Sequence, residues 1–175
     1  MVYESKYTGA VIDDVIDGRY KAFRQDVVDS NHTVGSPQAI TANTEYMFTI
    51  DALARNDVTA PTYITDRWDA VNNKIAFPTE LDGPTYVSDL SFIFDPSVAS
   101  AGKYTIRIYI DDATPKLIRA YSGWYKSVAE IHNKITTWYL WTDTGYDAKN
   151  DWVYFTIEFD GNGNLYSKGA IIYRT

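Results

Sequence analysis

Apolar residues recur at every second position through most of this chain, and that spacing is the feature that most constrains its fold. From Gln38 onward, segments with this period are bounded by Gly, Pro, Asn and Asp, which favour turns. In the clearest segment, one face carries Tyr104, Ile106, Ile108 and Ile110, and the other carries Thr105, Arg107 and Tyr109. Roughly eight short segments of this kind predict an all-β sandwich or barrel rather than a parallel sheet.

Turn-forming residues predict how the first of these strands are connected. Residues 38–41 and 45–50 have strand patterns and are separated by Ala42, Asn43 and Thr44. This arrangement predicts an opening hairpin. The pair Asn72-Asn73 predicts a further tight turn in the middle of the chain.

A last hairpin is predicted near the end of the chain. Four alternating residues are expected to face the core: Val153, Phe155, Ile157 and Phe159. Residues 160–164 are rich in Gly and Asn and predict the turn, and residues 165–173 predict the returning strand. Residues 137–141 are apolar or aromatic on both faces, which is typical of a strand covered on both sides.

The first few dozen residues follow a different pattern. Within residues 7–18, Thr8 can cap the first turn of a short helix and Gly18 can end the last one. One face of that helix would carry Val11, Ile12, Val15 and Ile16. The Ser36-Pro37 pair predicts a boundary. We therefore expect an attachment segment and linker over residues 1–37 and a β-sandwich over residues 38–175.

Composition and charge exclude several classes of function. The chain has no Cys, so it forms no disulfide and offers no thiol nucleophile. Its net charge of -7 and its scattered basic residues disfavour binding to nucleic acid or to anionic membranes. No secretory signal or membrane-spanning stretch is predicted. The 15 Tyr and 5 Trp suit either subunit interfaces or shallow sugar-binding surfaces.

Residues typical of catalysis do not occur in catalytic patterns. His32 and His132 are the only histidines, and both are expected to be solvated or structurally satisfied rather than zinc ligands. The carboxylate pairs Asp13-Asp14 and Asp111-Asp112 are adjacent in sequence, so on a strand their side chains point to opposite faces. No Gly-x-Ser-x-Gly elbow or phosphate-binding loop is present. We expect no enzymatic activity and no cofactor.

One loop imitates the start of a calcium site. Asp160, Asn162 and Asn164 have the spacing of the first ligands of an EF-hand loop. The same pattern requires Gly where Leu165 stands and Glu where Ile171 stands. A turn between strands is therefore favoured over a bound ion, and no metal is expected.

Two stretches resemble known families. The sequence Asn-Asn-Lys-Ile-Ala-Phe-Pro at 72–78, followed by Gly-Pro-Thr-Tyr-Val-Ser-Asp-Leu-Ser-Phe-Ile-Phe at 83–94, resembles the strand core of trimeric jelly rolls of the tumour-necrosis-factor and complement-C1q type. This resemblance implies a jelly-roll β-sandwich that forms a homotrimer, with one sheet face buried between subunits. Trp138, Tyr139 and Trp141 are the candidates for residues shared by core and interface; alternatively, they fill the core of one subunit.

The second resemblance concerns the N-terminal segment. Its Tyr-Thr-Gly-Ala-Val-Ile-Asp at 7–13 looks like the opening of phage head-fibre, decoration and tail-associated proteins, where it is a virion-attachment or trimerisation element. The resemblance, together with the apolar face of the predicted helix, gives the candidate attachment residues Tyr7, Thr8, Gly9, Ala10, Val11, Ile12, Val15 and Ile16. The alternative is that the helical face folds back onto the β-sandwich.

The leading hypothesis is a non-enzymatic structural protein on the outside of a phage virion, a trimeric head fibre or capsid decoration protein that binds other virion proteins. The alternative is a tail-associated receptor-binding protein or a carbohydrate-binding module. In that case a host surface glycan is the partner, and the candidate contacts are Trp124, Tyr125, Trp138 and Trp141.

Overall fold

The computed structural model describes residues 23–50, 52–55, 68–69, 71–75, 85–111, 113–139 and 152–174. These residues contain β-strands and connecting turns. In chain order the strands are β1 Phe23–Asp29, β2 Gln38–Ile40, β3 Glu45–Met47, β4 Ala52–Arg55, β5 Trp68–Asp69, β6 Lys74–Ile75, β7 Thr85–Pro96, β8 Gly102–Asp111, β9 Lys116–Tyr125, β10 Glu130–Tyr139, β11 Trp152–Phe159 and β12 Gly163–Arg174. The all-β prediction is confirmed.

The strands form two antiparallel sheets. In the first sheet the order is β10-β7-β12-β1-β4, and β2 also pairs with β12. In the second sheet the order is β5-β6-β11-β8-β9, and β3 also pairs with β11. Buried residues of both sheets join in one apolar cluster. The architecture is therefore a jelly-roll sandwich, as predicted.

Alternation decides which residues fill the space between the sheets. Along β8, every second residue from Gly102 to Ile110 is buried, and the residues between them are half-buried or exposed. The four β11 residues predicted to face the core are all buried: Val153, Phe155, Ile157 and Phe159. Both predictions are confirmed because the side chains of a strand point alternately to its two faces.

Aromatic rings make up much of this core. Phe94 of the first sheet stacks on Phe159 of the second, with ring centroids 3.8 Å apart. Phe92 contacts both Phe48 and Phe159 edge-on, at centroid distances of 6.1 and 6.0 Å. All four rings are fully buried. Such contacts contribute about 0.5–1.5 kcal/mol per pair beyond the burial of their area.

Both predicted hairpins at the ends of the sandwich are wrong. β2 and β3 do not pair with each other, since β2 pairs with β12 and β3 with β11. β11 and β12 likewise belong to different sheets. The physical reason is that each short turn crosses the edge of the sandwich. An alternating pattern is the same whether the next strand pairs beside its neighbour or lies opposite it.

The two crossing turns lie side by side and are hydrogen-bonded to each other. Asn43 has a positive φ of 56°. Its backbone N–H donates to the carbonyl of Phe159 at 2.7 Å. The N–H of Ala42 donates to Oδ1 of Asn162, also at 2.7 Å. These bonds fix the point at which the chain passes from one sheet to the other.

The segment 1–37 was expected to lie outside the sandwich, but its residues 23–29 form strand β1. β1 pairs with β12 from Phe23 to Val28 and with β4 from Val27 to Asp29. The sheet therefore includes residues upstream of the expected boundary at Ser36-Pro37. The predicted helix over residues 7–18 lies outside the described residues. The tight turn at Asn72-Asn73 is present between β5 and β6, with Asn73 at a φ of 54°.

Candidate functional site

The outer face of the first sheet exposes isoleucine side chains on its edge strand β10. Ile131 is 67% exposed and Ile135 is 65% exposed. Asn133 lies exposed between them on the same face. In the pairing with β7, Ile131 is opposite Ile93 and Ile135 is opposite Asp89. We call these five residues the apolar face.

Asp89 gives the apolar face a polar centre. It lies between Ile135 of β10 and Ile171 of β12 in the strand register. Its Oδ1 atom is buried and has no hydrogen-bond partner among the described residues. A buried acceptor without a donor costs about 1–3 kcal/mol. Among the described residues, this face therefore combines exposed apolar side chains with a buried carboxylate oxygen that has no donor.

Trp124 and Tyr125 were both predicted to contact a subunit or a sugar, but the structure gives them different exposures. Trp124 is 76% exposed on β9, opposite Lys103 of β8. Tyr125 is only 3% exposed, and its hydroxyl donates to Oδ1 of Asp160 at 2.8 Å. Burial, that hydrogen bond and the charge of Asp160 raise the pKa of Tyr125 to about 12. Tyr125 therefore lies in the core, where a sugar does not reach it.

The remaining predicted site residues are described only in part. The backbone of Trp138 pairs with Tyr86, and that of Tyr139 pairs with Thr85. The side chains of Trp138 and Tyr139 lie outside the described part of the structure, as does all of Trp141. The same holds for the predicted attachment residues: Tyr7, Thr8, Gly9, Ala10, Val11, Ile12, Val15 and Ile16.

A buried ionic network joins β1 to β12. Nζ of Lys168 lies 3.1 Å from Oδ2 of Asp29, and the two side chains are 0% and 1% exposed. The same ammonium donates to Gln38 Oε1 at 2.9 Å and to Thr49 Oγ1 at 2.8 Å. His32 Nδ1 lies 2.8 Å from Asp29 Oδ2. His32 is therefore structurally satisfied, in agreement with the sequence analysis.

The charge state of Asp29 follows from these contacts. Burial alone raises the pKa of a carboxyl group. The hydrogen bond from His32, the positive charge of Lys168 and the backbone N–H of Asn31 outweigh burial and hold the pKa of Asp29 below its ordinary value. Asp29 is thus held as a carboxylate opposite a buried ammonium.

His132 is buried on the inner face of β10. Its ring stacks on Phe92 with a centroid distance of 5.1 Å and contacts Tyr104 edge-on. Its Nε2 atom is buried without a hydrogen-bond partner among the described residues, 3.8 Å from Oε1 of Glu130. Burial lowers the pKa of His132 more strongly than the carboxylate of Glu130 raises it. The ring is therefore neutral near pH 7 and acts as a packing group.

The loop that imitates a calcium site uses its polar groups to hold the crossing turns. Asp160 accepts hydrogen bonds from the Tyr125 hydroxyl and, at 2.9 Å, from the backbone N–H of Lys103. Asn162 accepts one from Ala42. These contacts tie the loop to Tyr125 and to the neighbouring backbone, as expected for a turn between strands.

The sequence did not predict a second candidate surface, which the structure reveals. On the outer face of the second sheet, Tyr109 of β8 lies directly opposite Tyr154 of β11. Their rings are nearly parallel, with centroids 5.4 Å apart. Burial and the Glu45 carboxylate raise the pKa of Tyr109, and burial with the charges of Asp111 and Glu45 raises that of Tyr154. The period-two pattern does indicate that Tyr109 faces outward, but it does not identify its partner strand.

Charged residues adjoin these two rings. Arg107 Nη1 donates to Glu158 Oε2 at 2.7 Å and lies 3.2 Å from Glu45 Oε2. The three side chains are 23%, 28% and 35% exposed, respectively. Thr156 Oγ1 donates to Oε1 of Glu45, which holds that carboxylate from its other side. The polar groups of this surface are therefore fixed in position while remaining accessible to water.

In the part of the chain that the structure covers, His, Asp and Glu do not form a group of three or more that would hold a metal ion. Across those same residues, there is no helix long and apolar enough to cross a membrane.

No protein-family model matches the chain. No curated protein matches it in sequence. Among solved structures, the chain is similar to the globular domain of zebrafish complement 1qA protein, with a TM-score of 0.45 and 16% identity over 88% of this chain and 94% of that chain.

Proposed function

We propose that this chain is a non-enzymatic structural protein that self-associates through the apolar face of its first sheet. The observation that carries the proposal is the exposure of Ile131 and Ile135 on β10. Full burial of an isoleucine side chain contributes about 1.5–3 kcal/mol. In a symmetric assembly the same side chains are buried in every copy, so every copy contributes this free energy.

A second copy of the chain is the partner that fits this face best. The apolar face carries two exposed isoleucines, with the exposed amide of Asn133 between them. In a symmetric interface the isoleucines of one copy pack on the same face of the next, which buries apolar side chains of both copies. The choice of three copies rests on the sequence resemblance to trimeric jelly rolls.

Self-association is tested by light scattering on the eluting full-length chain. One chain has a mass of 19.9 kDa, so a trimer has about three times that mass. We expect Ile131→Lys and Ile135→Lys to give monomers, because burying a lysine charge in the interface is costly. Val98→Lys is the matched control, since Val98 is 68% exposed in a turn. A monomeric parent chain, or a trimer that survives both isoleucine variants, would overturn the proposal.

The location we propose is the outside of a phage virion, where residues 1–22 attach the assembly to other virion proteins. The resemblance at residues 7–13 supports this part of the proposal. Three weak anchors on one trimer bind far more tightly than one. A chain beginning at Phe23 keeps β1 and is the appropriate shortened variant. It should remain a trimer and lose co-sedimentation with the virion; unchanged co-sedimentation argues against attachment by this segment.

The second candidate function is binding of a surface glycan. The observation that favours it is Trp124, a large aromatic side chain that is 76% exposed. Exposed aromatic rings can cover the apolar faces of sugar rings. Saturable binding of an oligosaccharide by the full chain supports this function, and its absence argues for a purely structural role.

A further inference from the structure

The outer face of the second sheet carries a row of large side chains across three neighbouring strands. Trp152 and Tyr154 alternate along β11 and share this face. Tyr109 of β8 lies opposite Tyr154, and Leu117 of β9 lies opposite Tyr109. Leu117 is 53% exposed, and the three aromatic residues are half-buried. We call these four residues the aromatic row; it spans about 10 Å across the strands.

Fixed hydrogen-bonding groups border the aromatic row. Arg107 precedes Tyr109 by two residues on β8 and therefore lies on the same face. Its guanidinium is held by Glu158 and Glu45. A guanidinium has five N–H donors, and two carboxylates accept at four oxygens, so donors and acceptors remain for a ligand. Because Arg107 and the two glutamates already hold one another in place, these side chains lose less conformational entropy when a ligand binds.

The charges around the row nearly cancel. Arg107 is balanced by Glu45 and Glu158, and Lys74 forms an ion pair with Asp111 beside Trp152 in the strand register. Two basic and three acidic residues leave a slight negative charge, and the whole chain has a net charge of -7. Phosphorylated, sulfated and carboxylated ligands are therefore disfavoured. The surface suits a neutral ligand with apolar faces and many hydroxyl groups.

We propose that the aromatic row binds a neutral glycan chain. The apolar faces of its sugar rings pack on Trp152, Tyr154 and Tyr109, while its hydroxyls donate to the glutamates and accept from Arg107. This inference deepens the second candidate function and rests on it for the class of ligand. It does not depend on self-association, because the row and the apolar face belong to different sheets.

The test is titration of the full chain with three neutral probes, maltohexaose, cellohexaose and mannohexaose. An oligogalacturonate of the same length is the acidic comparator. Binding is followed by tryptophan fluorescence and by saturation-transfer NMR on the sugar protons. We expect saturable binding of at least one neutral probe and much weaker binding of the acidic one. Trp152→Ala and Tyr154→Ala should each weaken binding about tenfold, the equivalent of 1.4 kcal/mol.

Matched variants distinguish failure of the site from failure of the function. Tyr154→Phe keeps the ring and should bind like the parent chain, and Val98→Ala, in a turn outside both surfaces, is the neutral control. Trp124→Ala tests the competing site at the far end of β9. If only Trp124→Ala abolishes binding, glycan binding stands and the aromatic row is the wrong site. If neither the neutral probes nor the acidic comparator bind, both the site and the second candidate function are rejected. If the acidic comparator binds best, glycan binding stands and the proposed neutral-ligand site is rejected. An unchanged elution volume for every variant shows that folding is retained.

Discussion

The two sheets each contain an ionic cluster, and the clusters differ chiefly in burial. The ion pair of Lys168 and Asp29 is 0% and 1% exposed, whereas Arg107 and Glu45 are 23% and 35% exposed. In the first cluster neither charge can return to water when its partner is lost. In the second, water replaces a missing partner. The same chemistry therefore stabilises the fold in one place and leaves groups available to a ligand in the other.

The largest expected effect comes from breaking the buried pair. Lys168→Met removes the ammonium and leaves the buried Asp29 carboxylate without that positive charge, although His32 and the backbone N–H of Asn31 still bond to it. We expect the free energy of unfolding to fall by about 3–5 kcal/mol. The measurement is urea unfolding of the full chain, followed by tryptophan fluorescence.

The control for this prediction is Lys126→Met. Lys126 also forms an ion pair, with Glu130 at 2.7 Å, but its side chain is 76% exposed. Its loss should change the free energy of unfolding by at most about 1 kcal/mol. Equal effects for the two lysines would contradict the comparison on which the prediction rests.

The second-largest expected effect is a fall in the free energy of unfolding at acidic pH, caused by protonation of Asp29 in the buried cluster. The pKa of Asp29 is lower in the folded chain than the ordinary value of 3.8. The unfolded chain therefore binds the proton first, and folding becomes less favourable as pH falls. The stabilisation is complete above pH 3.8 and is lost progressively as pH falls from there through the folded pKa.

One variant separates the contribution of Asp29 to the pH dependence of stability from the contributions of the other carboxylates. Asp29→Asn cannot titrate, so its free energy of unfolding should depend less steeply on pH below about 4 than that of the parent chain. Urea unfolding between pH 2.5 and 7, in buffers of equal ionic strength, gives both curves. Parallel curves over that range would show that Asp29 does not titrate with folding.

The buried cluster also shows where sequence patterns stop being informative. Strict alternation from Leu165, which is buried, places Lys168 on the outer face. The structure has a register shift between Tyr166 and Gly169, with Ser167 at a φ of 51°. One extra residue reverses the faces, and Lys168 points into the sandwich. The β-sandwich follows from alternation, but the position of a bulge depends on contacts with distant strands.

For the candidate surfaces too, the sequence predicts which residues of one strand share a face but not which strands pair. The sequence alone places Arg107 and Tyr109 together on one face of a strand, and the structure confirms that local relation. Glu45, Glu158 and Tyr154 join them only through the pairing of β8 with β11 and of β11 with β3. Those pairings connect residues far apart in the chain. The two hairpins predicted from local turns were wrong for the same reason.

The smallest expected effect concerns the exposed cluster. Arg107→Met removes the guanidinium, and solvent then hydrates Glu45 and Glu158, so the free energy of unfolding should fall by no more than about 1 kcal/mol. Raising the salt concentration should reduce even that difference, because partly exposed charges are screened. Lys168→Met should be much less sensitive to salt, since its cost arises in the dry interior. Urea unfolding of both variants at low and high sodium chloride makes the comparison. A loss of more than about 3 kcal/mol for Arg107→Met would mean that the outer cluster stabilises the fold about as strongly as the buried one, which would contradict the comparison between the two clusters.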